Sequence, residues 1–326
     1  MPTRALRSLL HSRAVGIAIG LLLTAILVWR TGPSRVAQSL QHADMLLLAA
    51  ALVLNVPVIL LRSWRSRLVL DRLDARVPMW RITTSQVIGL TLSGVTPAAS
   101  GDLVRAYLWN RADGVPVRTG TLVVIFERVW SLVLMGLLGL SAVAVQVGDW
   151  RLGAVAVVSW VCLGLPWLGN RTGLLTWGLT QLARLPLVRR LATQVERSAD
   201  EAALVAEDLV LQAQFLALSL IVFVLGGAQV WLLVIGVGAT VPVMAAIGAY
   251  CLSQVGGSIS SLPFGLGAGD ALLVVILAQA GLAAHLGAGV AILLRIATTL
   301  PIAVAAAGAL AVSLPVRRSL ERASTP

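Results

Sequence analysis

The chain has 326 residues, 58% of them hydrophobic and 12% charged, and its formal charge of +11 rests on arginine alone, because no lysine is present. Ordinary soluble domains carry about a quarter charged residues, so this composition, with its charges gathered between long apolar stretches, excludes a water-soluble globular protein. The missing lysine excludes a P-loop nucleotide site and Schiff-base chemistry, and arginines that flank apolar stretches imply an anionic lipid surface as partner, not nucleic acid.

Arg4, Arg7 and Arg13 precede a first apolar run over roughly 14–30. It shows no small-residue cleavage site and reads as a retained span. A short loop, 31–44, leads to a second span at roughly 45–61. The next loop holds Arg62, Arg65, Arg67, Arg72, Arg76 and Arg81; the positive-inside rule puts it on the cytoplasmic side. Segment 82–111 begins apolar and then breaks at Thr96-Pro97-Ala98-Ala99-Ser100-Gly101-Asp102, where Pro and Gly end one helix and Asp102 opens another. A full crossing puts Arg105, Arg111 and Arg118 outside. A re-entrant hairpin keeps them inside and is the expected form.

Spans follow at roughly 118–147 and 152–169. The basic loop 170–213 is expected in the cytoplasm. Its residues Val188, Leu191, Val195, Ala199, Ala202, Val205 and Leu209 recur at helical spacing, which predicts an amphipathic helix on the inner membrane surface. After a span at roughly 214–238, segment 242–284 breaks between Leu262 and Asp270 and reads as a second re-entrant hairpin. A last span, roughly 285–314, returns to Arg317, Arg318 and Arg322, so both termini are expected inside. Cys162 and Cys251 lie in apolar spans and read as small hydrophobes. Trp64, Trp80, Trp109 and Trp150 sit near span ends and read as interfacial anchors.

The two breaks share residues. Ser85-Gln86 matches Ser253-Gln254, Pro97 with Gly101-Asp102 matches Pro263 with Gly269-Asp270, and Arg128-Val129 matches Arg295-Ile296. The expected fold is therefore all-α and polytopic, an inverted repeat of span, span, re-entrant broken hairpin, span. Its halves cover about 14–147 and 152–314 of a single transmembrane domain. Such repeats are a common plan of transporters whose sites lie where broken helices meet near the midplane.

Pro97-x-x-x-Gly101-Asp102-x-x-Arg105, then Glu127-Arg128, and later Ser261-Leu262-Pro263-Phe264-Gly265-Leu266-Gly267 with Asp270, resemble the lysylphosphatidylglycerol synthase transmembrane-region family, also called flippase-like. The resemblance covers nearly the whole chain. It implies a membrane region that moves lipids between leaflets. Some members continue into a soluble aminoacyl-transferase domain; the chain ends shortly after its last span, so that domain and its synthase activity are not expected here. Other relatives are linked to polyprenyl-lipid glycosylation or hopanoid pathways, so the lipid does not follow.

Arg128 and Arg295 each fall well inside a span, where a charge costs about 2.5–3.5 kcal/mol on insertion scales. One reading makes them clamps for a lipid phosphate, which guanidinium binds through two parallel hydrogen bonds. The other has them neutralise Glu127, Asp102 or Asp270. Glu127 and Arg128 are chain neighbours and point about 100° apart on a helix. Glu127 is therefore expected to pair with Arg105 or Arg295 from another element. Arg128, Arg295, Arg105 and Glu127 form the candidate substrate-binding set. Pro97, Gly101, Asp102, Pro263, Gly267 and Asp270 are assigned structural or gating roles at the breaks, the two Asp residues as helix N-caps.

His11, His42 and His285 are scattered without ligand spacing, so neither metal nor cofactor is expected. The expected function is non-enzymatic movement of a phospholipid or polyprenyl-linked lipid between leaflets of a bacterial cytoplasmic membrane. The expected partners are anionic lipid head groups, with a cell-envelope lipid-modifying enzyme as a further candidate. The rival expectations are an enzyme acting on a lipid-linked substrate and a non-transporting partner of one.

Overall fold

The computed structural model describes residues 22–96, 101–168, 199–260 and 262–309. Helices make up almost all of it. In chain order they are α1 (Leu22–Thr31), α2 (Pro33–Gln41), α3 (Met45–Val53), α4 (Asn55–Arg72), α5 (Met79–Val95), α6 (Val104–Asp113), α7 (Val117–Val147), α8 (Trp150–Leu168), α9 (Ala199–Glu207), α10 (Leu209–Gly236), α11 (Val243–Ile259), α12 (Ala268–Gln279) and α13 (Ala284–Ala309). No strand occurs among the described residues. Residues 14–21 of the expected first span, Pro97, and residues 170–198 of the expected amphipathic loop lie outside them.

Among the described residues, four helical stretches are long and apolar enough to cross a bilayer: Met45–Arg72, Val117–Val147, Leu209–Gly236 and Ala284–Ala309. The first is α3 and α4 end to end. Pro57 has no N–H to offer the Val53 carbonyl, and the helix is interrupted at Leu54. The fold is thus all-α and polytopic. Exposed apolar side chains such as Leu46, Val145, Val157 and Val304 coat its outside, as lipid contact requires.

The boundaries correct the sequence reading at several places. Arg62, Arg65, Arg67 and Arg72 are not in a loop: α4 runs on through Arg72, because Arg, Leu and Val sustain a helix without a breaker until Leu73. The segment 31–44 contains α2, started by Pro33 at its first turn. Trp109 is no interfacial anchor. It is 1% exposed, and its indole N–H donates to Ser85 Oγ at 2.9 Å; Trp64, Trp80 and Trp150 are exposed.

Both breaks fold the chain back on itself. At the first, a Cβ on Gly101 would stand 2.2 Å from the carbonyl carbon of Leu92, so α5 and the start of α6 touch backbone to backbone. At the second, a Cβ on Gly265 would stand 2.8 Å from Cα of Gly257, so the turn lies directly on α11. The second arms, α6 and α12, have 10 and 12 residues, about 15–18 Å of helix, too short for a hydrocarbon core of about 30 Å.

Helix α11 is the centre of the packing, with α7, α10 and α12 around it. Its Ala246, Ala249 and Cys251 are fully enclosed with Leu134, Val222, Val230, Leu233 and Leu277. Small residues let these helices close up: Gly227 lies under Ile247, and Gly248 against Ala142. Dispersion at such contacts replaces the hydrophobic effect, which lipid cannot supply. A second core, with Val69, Leu70, Ile82, Trp109, Val123 and Phe215, ties α4, α5, α6, α7 and α10 together. Val205 of α9 joins it, so the one described part of the expected amphipathic loop packs on protein.

Asp208 fixes the entry to α10. Its Oδ1 accepts from the Leu211 N–H at 2.9 Å and its Oδ2 from Arg72 Nε at 2.7 Å. The Leu211 N–H first, and Arg72 after it, hold this carboxyl below the usual carboxylate range. A depressed value stabilises the fold above the unfolded carboxyl's titration near pH 4 and stops doing so as pH falls through it. Asp208→Ala should cost about 1 kcal/mol at pH 7 through the lost cap, with the partly exposed Arg72 pair adding little. Thermal unfolding in detergent checks this; the gap between wild type and variant should shrink below pH 4.

Candidate functional site

A cavity of about 280 Å³ lies where the two hairpins, α4, α7 and α13 converge. Arg128 reaches it from three turns into α7 and Arg295 from three turns into α13, each about 16 Å from its helix start. That length of helix is about half of a hydrocarbon core of about 30 Å. Both guanidiniums are partly open, at 32% and 25% side-chain exposure.

Each is steadied by an aspartate from a break. Arg128 Nη1 donates to Asp102 Oδ2 at 3.0 Å. Arg295 donates to Asp270 Oδ1 through Nε at 3.0 Å and Nη2 at 2.7 Å, and to the Phe264 carbonyl through Nη1 at 3.0 Å. Asp270 is not the N-cap of α12. That place belongs to Gly267, whose N–H donates to Asp270 Oδ2 at 3.0 Å. Asp270 therefore serves helix start and arginine with different oxygens. The separations in sequence are 26 residues for Asp102–Arg128 and 25 for Asp270–Arg295. Pro263 and Gly267 shape the second turn, where Phe264 takes φ +54° and Gly267 φ +79°.

Glu127 pairs with Arg105, the first of its two expected partners. Arg105 Nη1 donates to Glu127 Oε2 at 2.8 Å, and Nη2 to Ser66 Oγ at 2.6 Å. The Arg105 guanidinium also lies over the Trp109 ring at 4.9 Å, a favourable cation–π distance. This pair is closed off, at 2% and 5% side-chain exposure. It forms a wall of the cavity, whereas Arg128 and Arg295 face into it.

Two arginines in the same lining escaped the sequence reading. Arg62 and Arg65 stand one turn apart on α4. Arg65 is 3% exposed, donates through Nη1 to Ser219 Oγ at 3.0 Å and lies over Phe215 at 4.7 Å. The Nε atoms of both are buried without a hydrogen-bond partner among the described residues. The available signal was the helical period carried past Leu61 by Val69 and Leu70, with Arg62, Arg65 and Ser66 on the face of Val58 and Val69.

The polar wall continues through backbone. Residues Arg295–Thr299 form a π turn in α13, in which the Leu300 N–H reaches the Arg295 carbonyl. Asn55 donates to the Ala297 carbonyl there, and Gln229 donates to Ala51 at 2.8 Å and to Asn55 Oδ1 at 3.2 Å. No group of three His, Cys, Asp or Glu side chains that could hold a metal ion occurs among the described residues.

The family model of the lysylphosphatidylglycerol synthase TM region matches residues 13–306. A UPF0104 membrane protein of Methanothermobacter thermautotrophicus is 21% identical over 307 residues, 88% of this chain and 91% of that one. The glycosyltransferase AglD of Haloferax volcanii is 36% identical over 137 residues, 40% of this chain but 22% of its own length.

Removing one member of a buried ion pair leaves the other uncompensated, which costs about 3–5 kcal/mol, whereas replacing both by apolar residues is often close to neutral. Arg105→Leu and Glu127→Leu should each lower the unfolding temperature in detergent sharply, and the double variant should regain most of the loss.

Proposed function

The chain belongs to the family of the lysylphosphatidylglycerol synthase TM region, and on that footing we propose that it is a multi-pass membrane protein that moves a phosphate-bearing lipid between leaflets. The carrying observation is that two half-open arginines, Arg128 and Arg295, each about three turns into a long apolar helix, line one cavity. A partly exposed guanidinium can bond a second anion beside its aspartate, and a lipid phosphate offers oxygens in the spacing that the arginine fork matches. Asp102 takes one N–H of Arg128, and Asp270 with the Phe264 carbonyl takes three of the five on Arg295, so both keep N–H donors for a guest.

The proposed motion is a rocking of two inverted halves about the cavity. The like separations of Asp102–Arg128 and Asp270–Arg295 support the repeat, and inverted repeats supply two equivalent end states. The contact to be broken is that of the two hairpin tips. A Cβ on Gly94 would stand 2.3 Å from the Phe264 ring, so the second tip is seated against α5 of the first. Phe264, with its positive φ, is held strained by that seat. Pro97, Gly101, Pro263 and Gly267 are the proposed hinges. The proposed setting is the bacterial cytoplasmic membrane with both termini inside.

A second reading has its own support. The partial likeness to a glycosyltransferase favours an enzyme, or a partner of one, that handles a lipid-linked substrate. Product formation by the purified protein distinguishes it from the first.

Reconstituted in liposomes, the wild type should move labelled phospholipids or polyprenyl phosphates across the bilayer. Arg295→Gln, still monodisperse, should slow this at least about tenfold, the equivalent of about 1.4 kcal/mol. Equal rates in wild type and variant, or no movement with or without a proton or sodium gradient, would turn the reading toward the enzyme.

A further inference from the structure

The charges lining the cavity do not balance. Among the described residues they are five guanidiniums and three carboxylates. Each carboxylate forms an ion pair with one guanidinium: Asp102 with Arg128, Glu127 with Arg105 and Asp270 with Arg295; Glu127 also attracts Arg65 without bonding it, and the count stays two carboxylates short. Arg62 and Arg65 form no ion pair with a described residue. Arg65 is almost fully buried, its Nε is without a hydrogen bond, and one neutral hydroxyl satisfies the rest that is bonded. The Arg62 guanidinium lies beside the Tyr250 phenol, also neutral. Charge buried in a membrane interior is costly unless paired, so the cavity is short of two negative charges.

Resting on the lipid-phosphate reading above, we infer that the cavity takes a doubly charged headgroup, a lipid phosphomonoester or pyrophosphate, in preference to a phosphodiester. A monoester, with its second ionisation near pH 6, carries close to two charges above neutrality. It balances Arg62 and Arg65 together, and its three terminal oxygens can accept from forks on both sides. A diester such as phosphatidylglycerol carries one charge and leaves one guanidinium uncompensated. A lysyl ester of that lipid adds two ammonium groups to one phosphate. It would bring positive charge into a cavity already positive, so the lipid in the family's name is the least suited of the three. The cavity, about 280 Å³, has room for a headgroup and not for acyl chains, which must leave it toward the bilayer.

Binding to the full chain in detergent at pH 7.5, read by native mass spectrometry, tests this. The probes are phosphatidic acid, phosphatidylglycerol and lysylphosphatidylglycerol with the same acyl chains, and soluble glycerol 3-phosphate. Phosphatidic acid should bind at least about tenfold more tightly than phosphatidylglycerol, with the lysyl ester weakest. Arg62→Gln breaks no ion pair. It should pull the ratio of the first two toward one while the protein elutes as before. Equal binding of all three lipids, abolished by Arg295→Gln, would overturn the dianion preference and leave lipid transport standing. Failure of every lipid to bind would sink both. Displacement of phosphatidic acid by glycerol 3-phosphate at equal concentration would overturn the lipid assignment in favour of a free phosphomonoester. An unchanged ratio in Arg62→Gln would also overturn the charge argument.

Discussion

A carboxylate or guanidinium carried into the interior of a membrane protein costs several kcal/mol unless a partner of opposite charge meets it with good geometry. The architecture around the central cavity follows from how that cost is met. Asp102 and Asp270 sit at helix breaks, where the chain can bring them against arginines from the next long helix. Glu127 cannot reach its neighbour Arg128, so it requires Arg105 from the hairpin arm α6. Each hairpin is thus joined to a spanning helix by an ion pair as well as by packing.

Close backbone approach does the rest. The pairs form only because the hairpins fold tightly enough to place their second arms beside the first, at Gly101 on Leu92 and at Gly265 on Gly257. A side chain at either place would push the arm away and carry its aspartate out of reach. Small residues in α7, α10 and α11 then draw the long helices together. What remains between hairpins and helices is a space whose walls mix charged side chains with apolar ones such as Val58, Met135 and Leu294, and the charged part suits water or an ionic guest better than an apolar one.

Much of this was legible in the sequence because it rests on composition and on single breakers. Apolar runs mark the long helices, and Pro and Gly next to an acid mark the folded hairpins. The neighbour relation of Glu127 and Arg128 ruled out one pairing and narrowed the other to two, which only three dimensions could decide. Arg62 and Arg65 were hidden for a different reason. In a cluster with Arg67 and Arg72 they carry the signature of a cytoplasmic loop, and hydropathy cannot separate an arginine that ends a span from one that continues it inward. Trp109 was misread on the same ground: nearness to a span end says nothing about which way a side chain faces. Ser85, on α5, decided it.

The π turn at Arg295–Thr299 has one further effect on how α13 is used. One extra residue in the turn rotates everything after it by about 100° relative to an uninterrupted α-helix. Before the turn, Val290, Leu293 and Leu294 belong to the core around α11 and α12. After it, Ile302 and Ala306 lie against Val87 and Ile88 of α5. A single continuous helix thereby shows a different side to each hairpin. Loss of one residue between 295 and 299 would leave hydropathy and span length almost untouched, yet swing one of those sides away from its mate. In this helix the number of residues carries as much structural information as their kind.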